Sequence, residues 1–350
     1  MINNDRIIYF DVLRIIAVFA VIMLHVAAQQ FYSAFPSDNW TYFNIYDSLC
    51  RWGVPVFVMI SGALFLNPLK RFSVKTLYQK NIVRILLALI FWSVLYQLYI
   101  YRHNESFNLF SFISETIIGP VHLWFLKMLL GLYIALPILR TVVSDKRIEL
   151  YFIIVAVVTS FIVPLIPRII GLYNSDVAVI INNQISTVNL NIALGYTGYF
   201  VLGHYLNTYQ LTKRYRSFIY VCGVISLISV PLLTQIISNS VNRPISDLYS
   251  NLMPFTLFEA ITIFLFVKNN CNNGVPHVKN EVIADFSKTT FGIYLIHMLL
   301  IWIARSTFGI TSSTYHPAIF VPLFSFIIFI ISFVAIKIMM NVPILKKFVS

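Results

Sequence analysis

The stretch "FDVLRIIAVFAVIMLHV", residues 10–26, decides how this chain is read. With its flanks it makes an apolar run over 7–28, about the 20 residues a helix needs to cross a bilayer. Asp11, Arg14 and His25 lie inside it. Charged groups in hydrocarbon cost roughly 2.5–3.5 kcal/mol each on insertion scales, so such residues need partners or a task. Arg14 and His25 are eleven positions apart, about three turns plus 20°, and share one helix face roughly 16 Å apart along the axis. Asp11, three residues before Arg14, is placed to pair with it. One stripe of one helix therefore presents a cation toward one end and an imidazole toward the other. The plainer alternative has Arg14 snorkelling to the interface and His25 bonded to a neighbouring helix.

The rest of the chain agrees with a membrane environment. Of 350 residues, 59% are hydrophobic and 11% charged, and the mean hydropathy is +0.80. Soluble domains run near 45–50% apolar and 25% charged. The formal charge of +12 does not indicate nucleic acid, because the basic residues fall between apolar segments rather than in one patch. Cys50, Cys222 and Cys271 are far apart, without CxxC spacing. The histidines (25, 103, 122, 204, 277, 297, 316) are singletons, so neither a disulfide framework nor a metal site is expected. Arg6 and Arg14 ahead of an apolar run ending in "VAAQQ" (26–30) resemble a cleaved leader, but the polytopic remainder makes a retained signal anchor the expectation.

Ten apolar runs predict an all-α, polytopic bundle of about ten transmembrane helices: 7–28, 50–67, 82–101, 122–139, 149–167, 190–207, 217–238, 252–270, 287–306 and 317–340. The run 190–207 carries Gly195, Gly198, Gly203 and His204, small residues that permit close helix approach. Loop 67–84 holds Lys70, Arg71, Lys75, Lys80 and Arg84 and no acid. Placing it in the cytosol leaves only Arg51, Arg102, Arg168, Arg243 and Arg305 on the outer face. The positive-inside rule then puts both termini in the cytosol. No long hydrophilic insertion is present, so residues 1–350 are expected to form a single integral membrane domain in the cell membrane. Any chemistry must come from helices and short loops.

Further polar residues inside the runs are candidates. "CRWGVPVFVMISGALF" (50–65) carries Gly53 and Pro55 at its outer end and Ser61 and Gly62 deeper. Without a G-x-S-x-G elbow, Ser61 is expected to pack or bond the backbone rather than act as a nucleophile. "HLWFLKMLLGLY" (122–133) places His122 and Trp124 at the outer boundary, with Lys127 a turn deeper. Trp124 reads as an interfacial anchor or a sugar-stacking platform. Lys127 faces either the interior or the interface, and Glu259 is either its partner or a protonated carboxyl. His297, with Tyr294 three residues before it, is expected to make a structural hydrogen bond.

These stretches together resemble the acyltransferase-3 family of integral membrane O-acyltransferases, in its stand-alone form without a fused hydrolase-like domain. Arg14 and His25 fit the family's basic, ten residues, His signature. The blocks 51–65, 122–133 and "FSKTTFGIYLIH" (286–297) follow in the expected order over most of the chain. One departure is that the family's Arg-x-x-Arg pair is replaced by Asn81 before Arg84, with Lys80 adjacent. Lysine is a point charge without the guanidinium fork.

The resemblance implies transfer of an acyl group, usually acetyl, from cytosolic acetyl-CoA or another acyl-CoA. The acceptor is a hydroxyl of a cell-surface glycan or its lipid-linked precursor, and neither metal nor nucleic acid takes part. It casts Arg14, with Lys80 and Arg84, as holding either the phosphates or the thioester oxygen of the donor, which makes Arg14 a catalytic as well as a donor-binding residue. His25 is cast as general base. Asp11, Ser61, His122, Trp124, Lys127, Glu259 and His297 become supporting or substrate-contacting residues. The competing classes are a transporter or flippase of a lipid-linked sugar, with Lys127 and Glu259 lining its path, and a non-catalytic sensor.

Overall fold

The apolar runs fold as helices, because hydrocarbon leaves backbone N–H and C=O groups no partner but each other. A computed structural model describes residues 6–102, 108–171, 173–187 and 191–350, with side chains of 191–194 excepted; His103 lies outside them. In chain order the helices are α1 (Ile8–Ala28), α2 (Trp40–Ser48), α3 (Gly53–Phe65), α4 (Val74–Tyr101), α5 (Leu109–Ile118), α6 (Val121–Val142), α7 (Lys146–Gly171), α8 (Ser175–Thr187), α9 (Asn191–Thr208), α10 (Lys213–Ser240), α11 (Pro254–Asn270), α12 (Asn280–Phe308) and α13 (Pro317–Asn341). No strand occurs among the described residues. The molecule is an all-α, polytopic helix bundle, as expected.

Nine helical stretches among the described residues are long and apolar enough to cross a membrane, with α2 and α3 counted as one. The expected tenth, 190–207, is present as α9 but is broken at Gly195, where φ and ψ leave the helical region. Its glycines and polar residues suit it to protein contact more than to lipid. Gly62 of α3 and Gly203 of α9 show why. A Cβ at Gly62 would overlap the Phe200 backbone, and one at Gly203 would overlap that of Met59. The two helices thus meet backbone to backbone, as small residues permit in membranes. On its other side α9 is pinned to α7 by a buried pair, His204 Nδ1 to Glu149 Oε1 at 2.7 Å.

α1 is the central rod, packed against α2, α3, α11, α12 and α13. Its residues Leu13, Ala17, Val18, Ile22 and Val26 have no exposed surface. Exposed aliphatic side chains, among them Ile90, Leu98, Ile138, Ile228 and Leu323, coat the outside of the bundle. Apolar exposure on this scale marks a lipid-facing surface rather than a soluble monomer.

The starts of two spans differ most from expectation. The second span begins at Trp40 rather than residue 50, and turns at 49–52 divide it into α2 and α3. The third begins at Val74, because a π-helical turn over Leu77–Ile82 continues it into the basic loop.

Candidate active site

The inner end of α1 is organised by Asp11, which is 1% exposed. Its carboxylate accepts bonds from Arg6 Nε at 2.5 Å, Arg14 Nη1 at 2.9 Å and Ser287 Oγ of α12 at 2.6 Å. The expected Asp11–Arg14 pairing is therefore present, and it sets the direction of the Arg14 guanidinium. A buried carboxylate with three charge-assisted or hydroxyl donors is well compensated.

Arg14 lines a cavity of about 280 Å³ together with Ser61, Asn81, Arg84, Tyr133 and Thr290. Arg84 lies with its guanidinium 5.4 Å from the Phe291 ring centroid. Ser61 donates to the Phe57 carbonyl at 3.0 Å, the backbone bond expected of it, while also bordering the cavity. A second, larger space of about 820 Å³ shares Leu64, Phe65 and Asn81 with the first and is lined by Lys70, Arg71, Phe72 and Arg140. Arg140 holds the loop there by donating to the carbonyls of Phe65 and Asn67 at 2.8 and 3.0 Å and to that of Lys70 at 3.1 Å. Its guanidinium lies 4.9 Å from the Phe72 ring centroid. The two spaces form a basic funnel from the loop face into the bundle, ending at Arg14 and Arg84.

The inner wall of the funnel is Phe125 and Tyr294, whose rings are 5.3 Å apart. Three imidazoles adjoin that wall. His25 is 5.2 Å from His297 and 6.4 Å from His122, and His122 is 5.5 Å from His297, between ring centroids. Tyr294 contacts the rings of both His122 and His297, and its hydroxyl donates to the His122 carbonyl. His297 Nδ1 is 2.6 Å from the Tyr294 carbonyl, the structural bond expected. A carbonyl only accepts, so Nδ1 carries the proton and Nε2 presents a lone pair. That Nε2 and both nitrogens of His122 are buried without a partner among the described residues. His25 is half-buried. The arrangement offers proton-accepting nitrogens beyond a cationic funnel. Among the described residues, no group of three or more His, Cys, Asp or Glu is arranged to hold a metal ion.

The structure brings Arg14, Ser61 and Arg84 to the funnel, with Asp11 bonded to Arg14 behind its lining, and His25, His122 and His297 to the cluster beyond. Four candidates fall elsewhere. Lys80 is exposed, and Asn81 lines the cavities in its place. The π turn brings both Leu77 and Ile82, five residues apart, to the core, which turns Lys80 outward. Lys127 is exposed and donates to the Ile117 and Ile118 carbonyls at 3.3 and 2.6 Å, capping α5 rather than meeting Glu259. Free carbonyls at a helix end attract such a cation. Glu259 is 1% exposed, and neither carboxylate oxygen has a hydrogen-bond partner among the described residues. Trp124 is 36% exposed and packs on Phe125 and Tyr196, outside the funnel.

Sequence reading passed over Tyr133, Thr290 and Arg140 as site residues and used Lys70 and Arg71 only as orientation signals. The basic loop 67–84 was nonetheless the available signal, since its excess of cations exceeds what a connection needs.

The acyltransferase domain family model matches residues 7–337, nearly the whole chain. No curated protein and no solved structure matches it. With this match and a bundle of apolar helices, the chain belongs to the acyltransferase-3 family and is a multi-pass membrane acyltransferase.

Proposed function

We propose that this protein moves an acyl group, acetyl in the first instance, from cytosolic acyl-CoA to a hydroxyl of a glycan or lipid-linked sugar on the other side of the cell membrane. The observation that carries the reading is the division of α1. Arg14 borders the basic funnel, and His25, on the same stripe, stands in the imidazole cluster behind the Phe125–Tyr294 wall. The funnel suits an anionic nucleotide at its wide end, where Lys70, Arg71 and Arg140 offer charge and Phe72 an aromatic face.

The separation of roughly 16 Å along the helix favours one of the two roles open to Arg14. Side chains on a helix lean toward its N-terminus, which carries the Arg14 guanidinium further from His25. Arg14 therefore holds the diphosphate or pantetheine part of the donor rather than the thioester oxygen. An extended pantetheine chain then carries the thioester toward His25.

There the acceptor hydroxyl attacks the thioester carbonyl as His25 takes its proton. The tetrahedral adduct collapses, the C–S bond breaks, and the imidazolium returns the proton to the thiolate, giving the ester and free CoA. A thioester is activated already, so a positioned base supplying about 10²–10⁴-fold is sufficient help. Lys and Arg bias supports both termini in the cytosol, with the funnel opening on that side.

The test is incorporation of label from acetyl-CoA into the envelope of cells bearing the wild-type chain or Arg14→Ala. Wild type should give labelled product, and Arg14→Ala should need a much higher donor concentration for the same rate. Movement of an unacylated sugar across the membrane without labelling would identify a transporter instead.

A further inference from the structure

At the far end of α1 lies a cavity that takes no part in donor binding. It measures about 380 Å³ and begins at Ala28, one turn beyond His25. Its walls are Asp47, Arg51, Arg168, Asp247, Tyr249 and Tyr32. The site is built. Asp47 is 1% exposed, and its Oδ1 is 2.6 Å from Arg51 Nη2. Beyond this ion pair Asp47 Oδ1 has no further partner, and Arg51 Nε is buried without a hydrogen bond among the described residues. Arg51 is stacked 4.6 Å from the Tyr249 ring centroid, and Tyr249 is fixed in turn by donating to the Asn44 carbonyl at 3.2 Å. On the opposite wall Arg168 Nη1 donates to the Asp247 carbonyl at 3.1 Å, and the Tyr32 and Ser246 hydroxyls are bonded at 2.8 Å.

The charges of this cavity distinguish it from the donor funnel. The funnel offers cations without carboxylates, apart from Asp11 behind Arg14. Here two guanidinium groups are matched by two carboxylates. Arg51 is paired with Asp47, Arg168 is bonded to a backbone carbonyl, and the lining carries as many carboxylates as cations. An anionic ligand would therefore find no net positive charge and would meet repulsion from Asp47 and Asp247. A ligand dense in hydroxyls fits instead. Carboxylates accept from hydroxyls, guanidinium N–H groups donate to them, and tyrosine rings cover the apolar faces of a saturated ring.

We propose that this vestibule is the acceptor subsite and takes an uncharged, hydroxyl-dense ring of the sugar class, with the Asp47–Arg51 pair reading adjacent hydroxyls. The proposal rests on the acyl-transfer reading above. It narrows that reading by excluding phosphate- or carboxylate-bearing units at the acylated position. Placement beside Ala28 presents a hydroxyl of the bound ring toward His25.

The experiment measures occupancy apart from turnover. Full-length Ala28→Cys protein, with Cys222 and Cys271 replaced by serine, is reconstituted in lipid nanodiscs and treated with a charged maleimide. Methyl glucoside and methyl glucuronide are the probes. Ala28 is half-buried and lines the cavity, so its replacement removes none of the groups assigned to the ligand. Methyl glucoside should slow labelling at least fivefold, and methyl glucuronide should not. Protection should vanish when Asp47→Asn is added, and also with Arg168→Ala, whose exposed side chain guards against a folding artefact. Absence of protection, equal protection by the glucuronide, or protection surviving both substitutions overturns the proposal. Acyl transfer from acetyl-CoA is measured on the same preparations. Protection without transfer upholds a neutral-sugar site here and refutes acetyl-CoA as the donor, and transfer without protection upholds the donor and overturns the vestibule.

Discussion

The proposed mechanism gives His25 and His297 different work in the imidazole cluster, and substitution separates them. His25→Ala should lower acyl transfer by about 10²–10⁴-fold, the contribution of a positioned base, while the protein still inserts and accumulates. Unchanged transfer would remove His25 from the chemistry. His297 is proposed as a positioning residue, because its Nδ1–H is spent on the Tyr294 carbonyl and its Nε2 is buried without a partner among the described residues. His297→Phe keeps the ring volume and removes the lone pair. It should cut kcat tenfold or more, about 1.4 kcal/mol of barrier, with the acetyl-CoA KM unchanged. An unaltered kcat would leave His297 only a packing role. The Asp11–Arg14 pair could be read from the sequence because three residues on a helix fix a shared face. Lys127 and Glu259 could not be placed that way. A long side chain a turn inside a boundary can reach either outward or inward, and only α5, ending beside Lys127, decides it.

The interlock of α3 and α9 makes a sharper statement about helices than hydropathy does. Gly62→Ala or Gly203→Ala places a methyl against the backbone of the partner helix. Overpacking of this kind typically costs 1–3 kcal/mol, and backbone gives way less readily than side chains. Each variant should lower the thermal unfolding midpoint in detergent. Gly131→Ala in α6 provides the contrast, because an added Cβ there meets nothing within 4 Å. It should leave the midpoint unchanged or raise it, since alanine is the better helix former by up to about 1 kcal/mol. Equal loss in all three would mean that the α3–α9 contact is ordinary. The glycines of 190–207 predicted close approach but not the partner, because sequence periodicity carries no information on which helix lies alongside. The π turn in α4 escaped reading for a related reason. Its only mark is Leu77 and Ile82 buried five residues apart, and burial is not visible in a run of mixed polar residues.

The funnel and the vestibule open at opposite ends of α1, and the distribution of charge along the chain had already marked the two faces. The loop of Lys70 and Arg71 and the loop of Arg243 are therefore expected on opposite sides of the membrane. What composition could not supply is the hollow between them, which depends on the packing of five helices around α1. Single cysteines test the arrangement directly, because Arg71 and Arg243 are both exposed. In intact cells a membrane-impermeant maleimide should label Arg243→Cys and leave Arg71→Cys untouched until the membrane is permeabilised. Acetyl-CoA added after permeabilisation should slow labelling at position 71 and not at 243, since the proposed donor site is confined to the basic end. Labelling of both positions from outside, or donor protection at 243, would place the two openings on one side and end the case for transfer across the bilayer.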